Sequence, residues 1–205
     1  MRRLTLIFIL ILIAPLAMAE TFQGRDYELL DGRKDARPAP LILDLHGAGS
    51  TGPRQRRYSG FDRVAAFYNA VVAYPSAPGK RWNDGRWDAL GQTDLAARDD
   101  VGWLRDLAGE LIAQGVADPD RIYAIGHSNG GGMVRRLTCD APDLLAGAAI
   151  VSTTLLIDFN CTGARAMDFL VREGRAGAAF FSGRRVEFEG SIVERAAGKT
   201  PIGVR

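Results

Sequence analysis

Residues 122–134 read IYAIGHSNGGGMV, in which Gly126, Ser128 and Gly130 fit the pattern G-x-S-x-G. An apolar run typical of a β-strand precedes the pattern and a helical run follows it, which is the context of a nucleophilic serine in a tight strand-to-helix turn. Glycines two residues either side of the serine leave room for that bend. We therefore predict that Ser128 is an exposed nucleophile at the carboxyl end of a sheet. A purely structural glycine-rich turn is the alternative.

The alternation of strand and helix extends over most of the chain. Short apolar runs predict β-strands, and apolar residues at helical spacing predict amphipathic helices. This order is typical of an α/β fold in which a mostly parallel sheet carries helices on both faces. The predicted strands are 22–30, 41–45, 70–74, 121–125 and 146–151, the predicted helices are 61–67, one opened by Asp99 and one starting near Gly131, and the predicted turns are Asp31-Gly32 and Asp118-Pro119-Asp120.

The first nineteen residues have the composition of a secretory signal peptide. Arg2 and Arg3 precede an apolar stretch over residues 4–14, and Ala17-Met18-Ala19 matches a cleavage site. The apolar stretch is too short to anchor a helix across a bilayer. We therefore predict that residues 1–19 are removed and that the mature protein is exported, extracellular or periplasmic, and not bound to a membrane. A buried N-terminal helix is the alternative.

The charge balance of the predicted mature chain argues against a nucleic-acid partner. Of the 26 basic residues, two lie in the predicted signal peptide, and the remainder balances the 24 acidic residues. Acidic residues are interspersed with the basic ones, so there is no long basic run and little electrostatic steering toward an acidic partner. The sequence also has no metal-ligand spacing, phosphate-binding loop or dinucleotide fingerprint. We therefore expect no cofactor and no metal.

Cys139 and Cys161 are the only cysteines in the chain. An oxidising compartment favours a disulfide between them. Closing a loop of that length would contribute about 3 kcal/mol to stability, if the geometry permits. We predict the Cys139–Cys161 disulfide, and two free buried thiols are the alternative.

A second glycine-rich segment, His46-Gly47-Ala48-Gly49, directly follows the strand predicted at 41–45. A serine nucleophile that forms a tetrahedral oxyanion needs two backbone N–H donors aimed at one point. We expect one donor from Asn129, the residue after the serine, and the other from the loop at Gly47 and Ala48. A glycine turn that merely ends the strand is the alternative.

Several further blocks occur in a fixed order along the chain. They are Leu45-His46-Gly47-Ala48-Gly49, Tyr74-Pro75, Trp82-Asn83-Asp84-Gly85-Arg86, Asp99-Asp100-Val101-Gly102, Asp118-Pro119-Asp120-Arg121-Ile122-Tyr123 and Gly126-His127-Ser128-Asn129-Gly130-Gly131. Together they resemble the secreted polyhydroxybutyrate depolymerase and feruloyl/acetylxylan esterase family, over about residues 25 to 165.

The resemblance implies an α/β-hydrolase fold, no cofactor, and hydrolysis of a small or polymeric carboxylic ester through an acyl-enzyme on Ser128. It maps the loop from His46 to Gly49 to the oxyanion hole. It also implies that Trp82 and Asn83 lie near the substrate cleft. From the residues alone, a packed aromatic turn is an equally good interpretation of that loop.

The chain departs from the family pattern after about residue 171. A serine nucleophile needs a base, normally a histidine held by an acid, and in this fold both follow the serine in the chain. No histidine follows Ser128, and the family's His-Gly-x-x-Asp-Pro block is replaced by REGRAGA at 172–178. We expect residues 20–171 to form an α/β-hydrolase core whose C-terminal part is incomplete. Residues 172–205 are expected to be an aberrant or poorly ordered tail that results from a frameshift or truncation.

The chain's two histidines, His46 and His127, are not expected to replace the missing base. His46 is expected to brace the oxyanion loop. His127 precedes the serine in an extended segment, so its side chain is expected to project to the opposite side from Ser128. The sequence therefore predicts a serine esterase of impaired activity. The alternatives are an inactive relative that binds esters or saccharides and a gene product with no stable function.

Overall fold

A computed structural model describes residues 18–86 and 92–153, together with the strand backbone at 168–172, 179–181 and 184–186. Residues 1–17 of the predicted signal peptide, and the predicted tail apart from its strand segments, lie outside the described residues. Each described helix is too short or too polar to cross a membrane.

Seven strands form one mixed sheet in the order β1-β2-β4-β3-β5-β6-β7. The β1–β2 and β2–β4 pairs are antiparallel, and all other neighbouring pairs are parallel. The strands are β1 (Met18–Phe22), β2 (Arg25–Asp31), β3 (Ala39–Leu45), β4 (Val71–Pro75), β5 (Ala117–His127), β6 (Gly147–Val151) and β7 (Asp168–Arg172), and β8 (Ala179–Phe181) pairs separately with β9 (Arg184–Val186). The central strand β3 is buried at every position, as expected for a strand covered on both faces.

Helices cover both faces of the sheet. They are α1 (Gly52–Ser59), α2 (Phe61–Tyr68), α3 (Thr93–Ala96), α4 (Asp100–Ala113) and α5 (Asn129–Asp140). On one face, Leu43 of β3 packs in the same core as Leu107 of α4 and Met133 of α5. On the other face, Ile42 packs with Ala65 of α2. The α/β fold with a mostly parallel sheet and helices on both faces is therefore confirmed.

The turn predicted at Asp31-Gly32 does end β2, but it does not form a hairpin, because β2 and β3 each pair with β4 and not with each other. The hairpin between β1 and β2 turns instead at Gln23 and Gly24, both of which have positive φ. Gly32 serves a different purpose, because a Cβ there would lie 2.5 Å from the backbone carbonyl carbon of Ala65. A glycine at this position therefore allows close approach to the end of α2, at the start of the segment in which the chain reverses between β2 and β3.

The turn predicted at Asp118-Pro119-Asp120 is also wrong, because these residues lie inside β5. The pairing of β5 with β3 shifts here: Ala117 pairs with Ala39, and the next pair is Ile122 with Leu41. The intervening residues bulge out of the ladder, which lets the strand tolerate a proline that cannot donate a hydrogen bond. The turn-favouring residues produce a bulge within β5 and do not end the strand.

The sequence gives no apolar periodicity for α1, which was therefore not predicted. Only Gly52 and Gln55 of this helix are buried. Proline near its start and Gly60 at φ 67° beyond its end delimit it instead. A Cβ on Gly52 would lie 1.9 Å from the carbonyl oxygen of Tyr74, so this glycine lets the helix start directly against β4. As a result, α1 lies beside the carboxyl ends of β3 and β4.

Candidate active site

Ser128 forms the sharp turn between β5 and α5, with φ 54° and ψ −117°. A positive φ in a residue with a side chain costs about 1–3 kcal/mol and persists only where packing enforces it. Here a Cβ on Gly126 would lie 2.2 Å from the carbonyl oxygen of Gly130, and a Cβ on Gly130 would lie 2.2 Å from that of Leu45. The glycines two residues before and after Ser128 thus allow backbone segments to approach closely enough for the bend.

Ser128 lines a pocket of about 350 Å³ at the carboxyl end of the sheet. The lining residues are Gly47, Ala48, Ser50, Arg54, Gln55, Tyr58, His127 and Ser128. Among the described residues, no acceptor is bonded to the backbone N–H of Ala48 or of Asn129. The latter N–H begins α5, where the first amides have no partner within the helix. The structure therefore brings two unpaired amide donors to the same end of the sheet as the serine hydroxyl.

The side chain of Asn129 is buried and connects the turn to the segment Trp82–Asp84. Its Oδ1 accepts from the backbone N–H of Trp82 at 2.7 Å. Its Nδ2 donates to the carbonyl oxygen of Trp82 at 3.1 Å and to Oδ2 of Asp84 at 2.8 Å. Three buried hydrogen bonds thus fix the residue that follows Ser128.

Trp82 extends this connection to the glycine-rich loop. Its indole Nε1 donates to the carbonyl oxygen of His46 at 3.0 Å, and the two rings lie with centroids 5.2 Å apart. The Nε2 of His46 accepts from the backbone N–H of Ala77 at 3.0 Å, so the proton is on Nδ1, which donates to the carbonyl oxygen of Gly47 at 2.8 Å. Burial lowers the pKa of His46. The ring is therefore neutral, with both nitrogens engaged in holding the loop.

Trp82 and Asn83 were predicted at the substrate cleft, but both are buried and neither lines the pocket. Asn83 donates from Nδ2 to the carbonyl oxygens of Ala96 and Arg98, and its N–H donates to Asp100 at the start of α4. These contacts are made inside the protein rather than toward solvent. The structure thus favours the packed aromatic turn over direct contact with substrate.

His127 was predicted to project away from Ser128, and this is wrong. Both residues line the same pocket. His127 Nδ1 and Ser128 Cβ lie 3.1 Å and 3.5 Å from the point where a Cβ on Gly47 would be. Alternation of side chains holds for an extended strand, and the positive φ of Ser128 ends that alternation. The His127 ring packs on the ring of Tyr58, with centroids 5.2 Å apart.

Neither histidine is hydrogen-bonded to the Ser128 hydroxyl within the described part of the chain. The serine therefore has no proton acceptor in place among residues 18–86 and 92–153. The same residues contain no cluster of three potential metal ligands.

Cys139 lies near the end of α5 and is almost fully buried. Cys161 lies outside the described residues, so their disulfide stays a prediction.

Three pocket residues, Arg54, Gln55 and Tyr58, come from α1 and were missed by the sequence analysis. No periodic or motif signal distinguishes them from other polar residues of a solvated helix. Their spacing of one, three and four residues could have placed them on one helix face, but only after the helix itself was recognised.

Gln55 links the pocket to a buried carboxyl group on the α1 side of β3. Its Nε2 donates to Oδ1 of Asp44 at 2.8 Å, and Asp44 is fully buried. Burial raises the pKa of Asp44 to about 6, and the hydrogen bond from Gln55 offsets this only in part. This carboxyl group is therefore largely ionised at neutral pH despite its surroundings.

The sequence profile of the prolyl oligopeptidase family (Peptidase S9) matches residues 60–163, just over half of the chain. The chain belongs to this family. The match includes the turn at Ser128 and both helices on that face of the sheet.

Three curated relatives carry names of ester hydrolases. The chain is 35% identical over 116 residues to a putative esterase NocK of Nocardia uniformis subsp. tsuyamanensis, covering 57% of the chain and 33% of the relative. It is 35% identical over 118 residues to a poly(3-hydroxybutyrate) depolymerase of Ralstonia pickettii, covering 54% and 24%. It is 32% identical over 115 residues to feruloyl esterase B of Piromyces equi, covering 54% and 20%. The chain thus spans a third or less of each of these relatives, and the expected resemblance to depolymerases and feruloyl esterases is confirmed.

Solved structures support the same fold. Poly(aspartic acid) hydrolase-1 from Sphingomonas sp. KT-1 superposes with a TM-score of 0.60 at 17% identity, over 80% of this chain and 73% of that one. Acetyl xylan esterase from Aspergillus awamori superposes with a TM-score of 0.55 at 19% identity, over 68% and 52%. At these identities the similarity establishes the α/β-hydrolase fold and nothing about substrate.

Replacing Trp82 by Phe tests the connection between the loop and the turn. The variant leaves the buried His46 carbonyl without its donor, so we expect a loss of about 1–3 kcal/mol in unfolding free energy. We also expect covalent labelling of Ser128 by a fluorophosphonate to slow about tenfold or more, because displaced donors stabilise an oxyanion less. Urea unfolding and mass spectrometry measure the two effects.

Trp103→Phe is the matched control, because the Trp103 indole also donates to a backbone carbonyl, that of Phe22, but outside the site. It should lose stability without slowing the labelling. Equal slowing in both variants would show that the labelling rate follows stability alone.

Replacing Asp44 by Asn tests the buried carboxyl group. A carboxyl whose pKa is higher in the folded state stabilises the fold below about pH 4, and this contribution is lost as pH rises through 6. We therefore compare the unfolding free energy of Asp44→Asn with that of the parent at two pH values. The difference should shift in favour of the variant by up to about 3 kcal/mol between pH 4 and pH 7.5, and the variant should be the more stable protein at pH 7.5. Urea unfolding at both pH values measures this. Asp120→Asn is the control, because Asp120 is exposed. If the difference in unfolding free energy between the parent and Asp44→Asn does not change with pH, the prediction is contradicted.

Proposed function

We propose that the chain hydrolyses carboxylic esters through an acyl-enzyme on Ser128, with an oxyanion hole formed by the loop at Gly47 and Ala48 and by the N–H of Asn129. The observation that carries this proposal is the strained turn that presents Ser128 in one pocket with the oxyanion loop. Strain of this kind persists where function requires it. The names of the esterase relatives support the same chemistry.

In the proposed reaction the Ser128 oxygen attacks the carbonyl carbon of the ester, and its proton passes through solvent water to the oxygen of the departing alcohol. The carbonyl oxygen becomes an oxyanion, which accepts hydrogen bonds from the two amide donors. The alcohol then leaves, the acyl group remains on Ser128, and water hydrolyses this second ester to release the acid and restore the hydroxyl.

The missing proton acceptor limits the rate of this reaction. His46 is engaged at both ring nitrogens, and His127 lines the same pocket but makes no hydrogen bond to the Ser128 hydroxyl within the described part of the chain. A serine site without its base retains roughly 10³–10⁴-fold acceleration over water. We therefore propose that this chain is an impaired esterase.

The same limitation favours esters over peptides as substrates, although the family is named for a peptidase. An amine leaving group must be protonated as it departs, and the histidine of a complete triad supplies that proton. A phenolate or a stabilised alkoxide leaves without this help. The proposed substrate is a small or polymeric carboxylic ester, in keeping with the depolymerase and feruloyl esterase names of the relatives. A non-catalytic protein that binds esters or saccharides is the second candidate, and the lack of a histidine bonded to the Ser128 hydroxyl among the described residues favours it.

Labelling and turnover separate these two candidates. We expect a fluorophosphonate to label Ser128 slowly, and Ser128→Ala to abolish both labelling and release of nitrophenol from 4-nitrophenyl butyrate. Ser50→Ala removes another hydroxyl of the same pocket and should keep both. Added imidazole should accelerate turnover in the parent beyond its effect on Ser128→Ala, since it supplies the absent base. The matching 4-nitroanilide should not react.

If the parent is folded and is never labelled, but NMR shows that it binds the ester, the chain is a non-catalytic ester-binding protein. Turnover that persists in Ser128→Ala would falsify the acyl-enzyme.

Export belongs to the same proposal, with residues 1–19 as signal peptide, 20–171 as the α/β-hydrolase core, 172–205 as a tail, and a Cys139–Cys161 disulfide. The proposed cleavage after Ala19 lies within β1 and leaves Glu20–Phe22 of that strand. The Tyr27 hydroxyl donates to the Glu20 carboxylate, so the shortened strand keeps a contact with β2.

Expression of the full chain in a bacterium with an intact secretion system tests this cleavage. We expect exported protein whose N-terminal sequence begins at Glu20. Retention of Met1 in soluble protein inside the cell would contradict export.

A further inference from the structure

The pocket at Ser128 carries a single ionised side chain that is not part of the proposed chemistry. Arg54 lines the pocket, and none of its described lining residues is a carboxylate. The other polar lining groups are the hydroxyls of Ser50, Ser128 and Tyr58, the amide of Gln55 and the ring of His127. The described pocket is therefore positively charged.

Arg54 has no hydrogen bond or ion pair within the described part of the chain, and it is exposed. Its neighbour Arg56 on the same helix is different, because it pairs with both Asp62 and Glu28. A guanidinium presents a planar set of donors that matches a carboxylate with two parallel hydrogen bonds. Arg54 is thus available to a ligand, whereas Arg56 is committed to the protein.

Two further features bear on the charge of the pocket. The N-terminus of the twelve-residue α5 begins directly after Ser128, and the aligned peptide dipoles place partial positive charge there. The carboxyl group of Asp44 is fully buried and bonded to Gln55, which itself lines the pocket. Neither feature cancels the charge of Arg54.

We propose that the preferred esters carry a carboxylate close to the scissile bond, and that Arg54 binds this carboxylate and so determines specificity. The inference rests on the proposed ester hydrolysis at Ser128 and narrows its substrate class. Because Arg54 is exposed, its contribution is moderate and decreases as salt screens the pair.

Two esters of nearly equal size test the proposal. The probe 4-nitrophenyl hydrogen adipate carries a free carboxylate, and 4-nitrophenyl methyl adipate carries a methyl ester in its place. We expect Ser128 to react about fivefold faster with the first ester after subtraction of the uncatalysed rates. Arg54→Gln should abolish this ratio, chiefly by slowing the reaction with the carboxylate ester, and high salt should reduce the ratio in the parent.

Arg57→Gln is the matched control. Arg57 is three residues further along α1, is also exposed and has no described partner, but does not line the pocket. In Arg57→Gln the ratio of the rates with the two adipate esters should equal that of the parent. The proposal is overturned if the ratio of the two ester rates is the same in Arg54→Gln as in the parent. It is also overturned if Arg57→Gln loses the ratio as fully as Arg54→Gln does. A third ester, 3-carboxy-4-nitrophenyl hexanoate, carries the charge on the leaving group, and an Arg54-dependent preference on either side supports it.

A binding experiment separates failure of this inference from failure of the proposed reaction. In Ser128→Ala, NMR measures binding of monomethyl adipate and of dimethyl adipate without any turnover. Weaker binding of the monoanion in Ser128→Ala/Arg54→Gln supports recognition of a carboxylate even if the parent hydrolyses nothing. If the affinities for monomethyl adipate and dimethyl adipate are the same with and without Arg54, carboxylate recognition by Arg54 is overturned, even if the parent hydrolyses esters.

Discussion

The buried amide of Asn129 holds together the chain segments that meet at the carboxyl end of the sheet. It is bonded to both backbone groups of Trp82, whose indole is in turn bonded to the carbonyl oxygen of His46. The positions of the two proposed oxyanion donors therefore depend on one another through buried hydrogen bonds. Such bonds are strong in a low-dielectric interior and costly to leave half made. A displacement of about 1 Å at a reacting group can cost roughly a hundredfold in rate, which makes this connection central to the site.

The same network explains why His46 does not act as a base. Its two ring nitrogens hold Gly47 and Ala77, and burial lowers its pKa, so the ring stays neutral and occupied. The proposed nucleophile is thus well positioned but not activated within the described residues. The chemistry that needs least proton transfer, cleavage of an ester with a good leaving group, is the chemistry that this arrangement supports best.

Local sterics made much of this site predictable. A serine two residues from glycine on either side, between a strand and a helix, has few backbone solutions, and the structure adopts the strained one at Ser128. Side-chain direction was less predictable. His127 was placed on the wrong side because alternation fails where φ becomes positive. For Trp82 the sequence left a place near the cleft and a packed aromatic turn equally open, and in the structure its indole donates inward. Its burial depends on residues far away in the chain.

The sequence by itself determined most of the alternation of strands and helices, though not α1, and the bend at Ser128, because hydrophobic periodicity and glycine sterics act over a few neighbouring residues. Tertiary structure alone decided which side chains line the pocket. Helix α1 has no periodic apolar face, and it lies there because Gly52 fits against Tyr74 of β4. That contact brings Arg54 beside Ser128. Such pairings join residues distant in the chain, and no local preference encodes them.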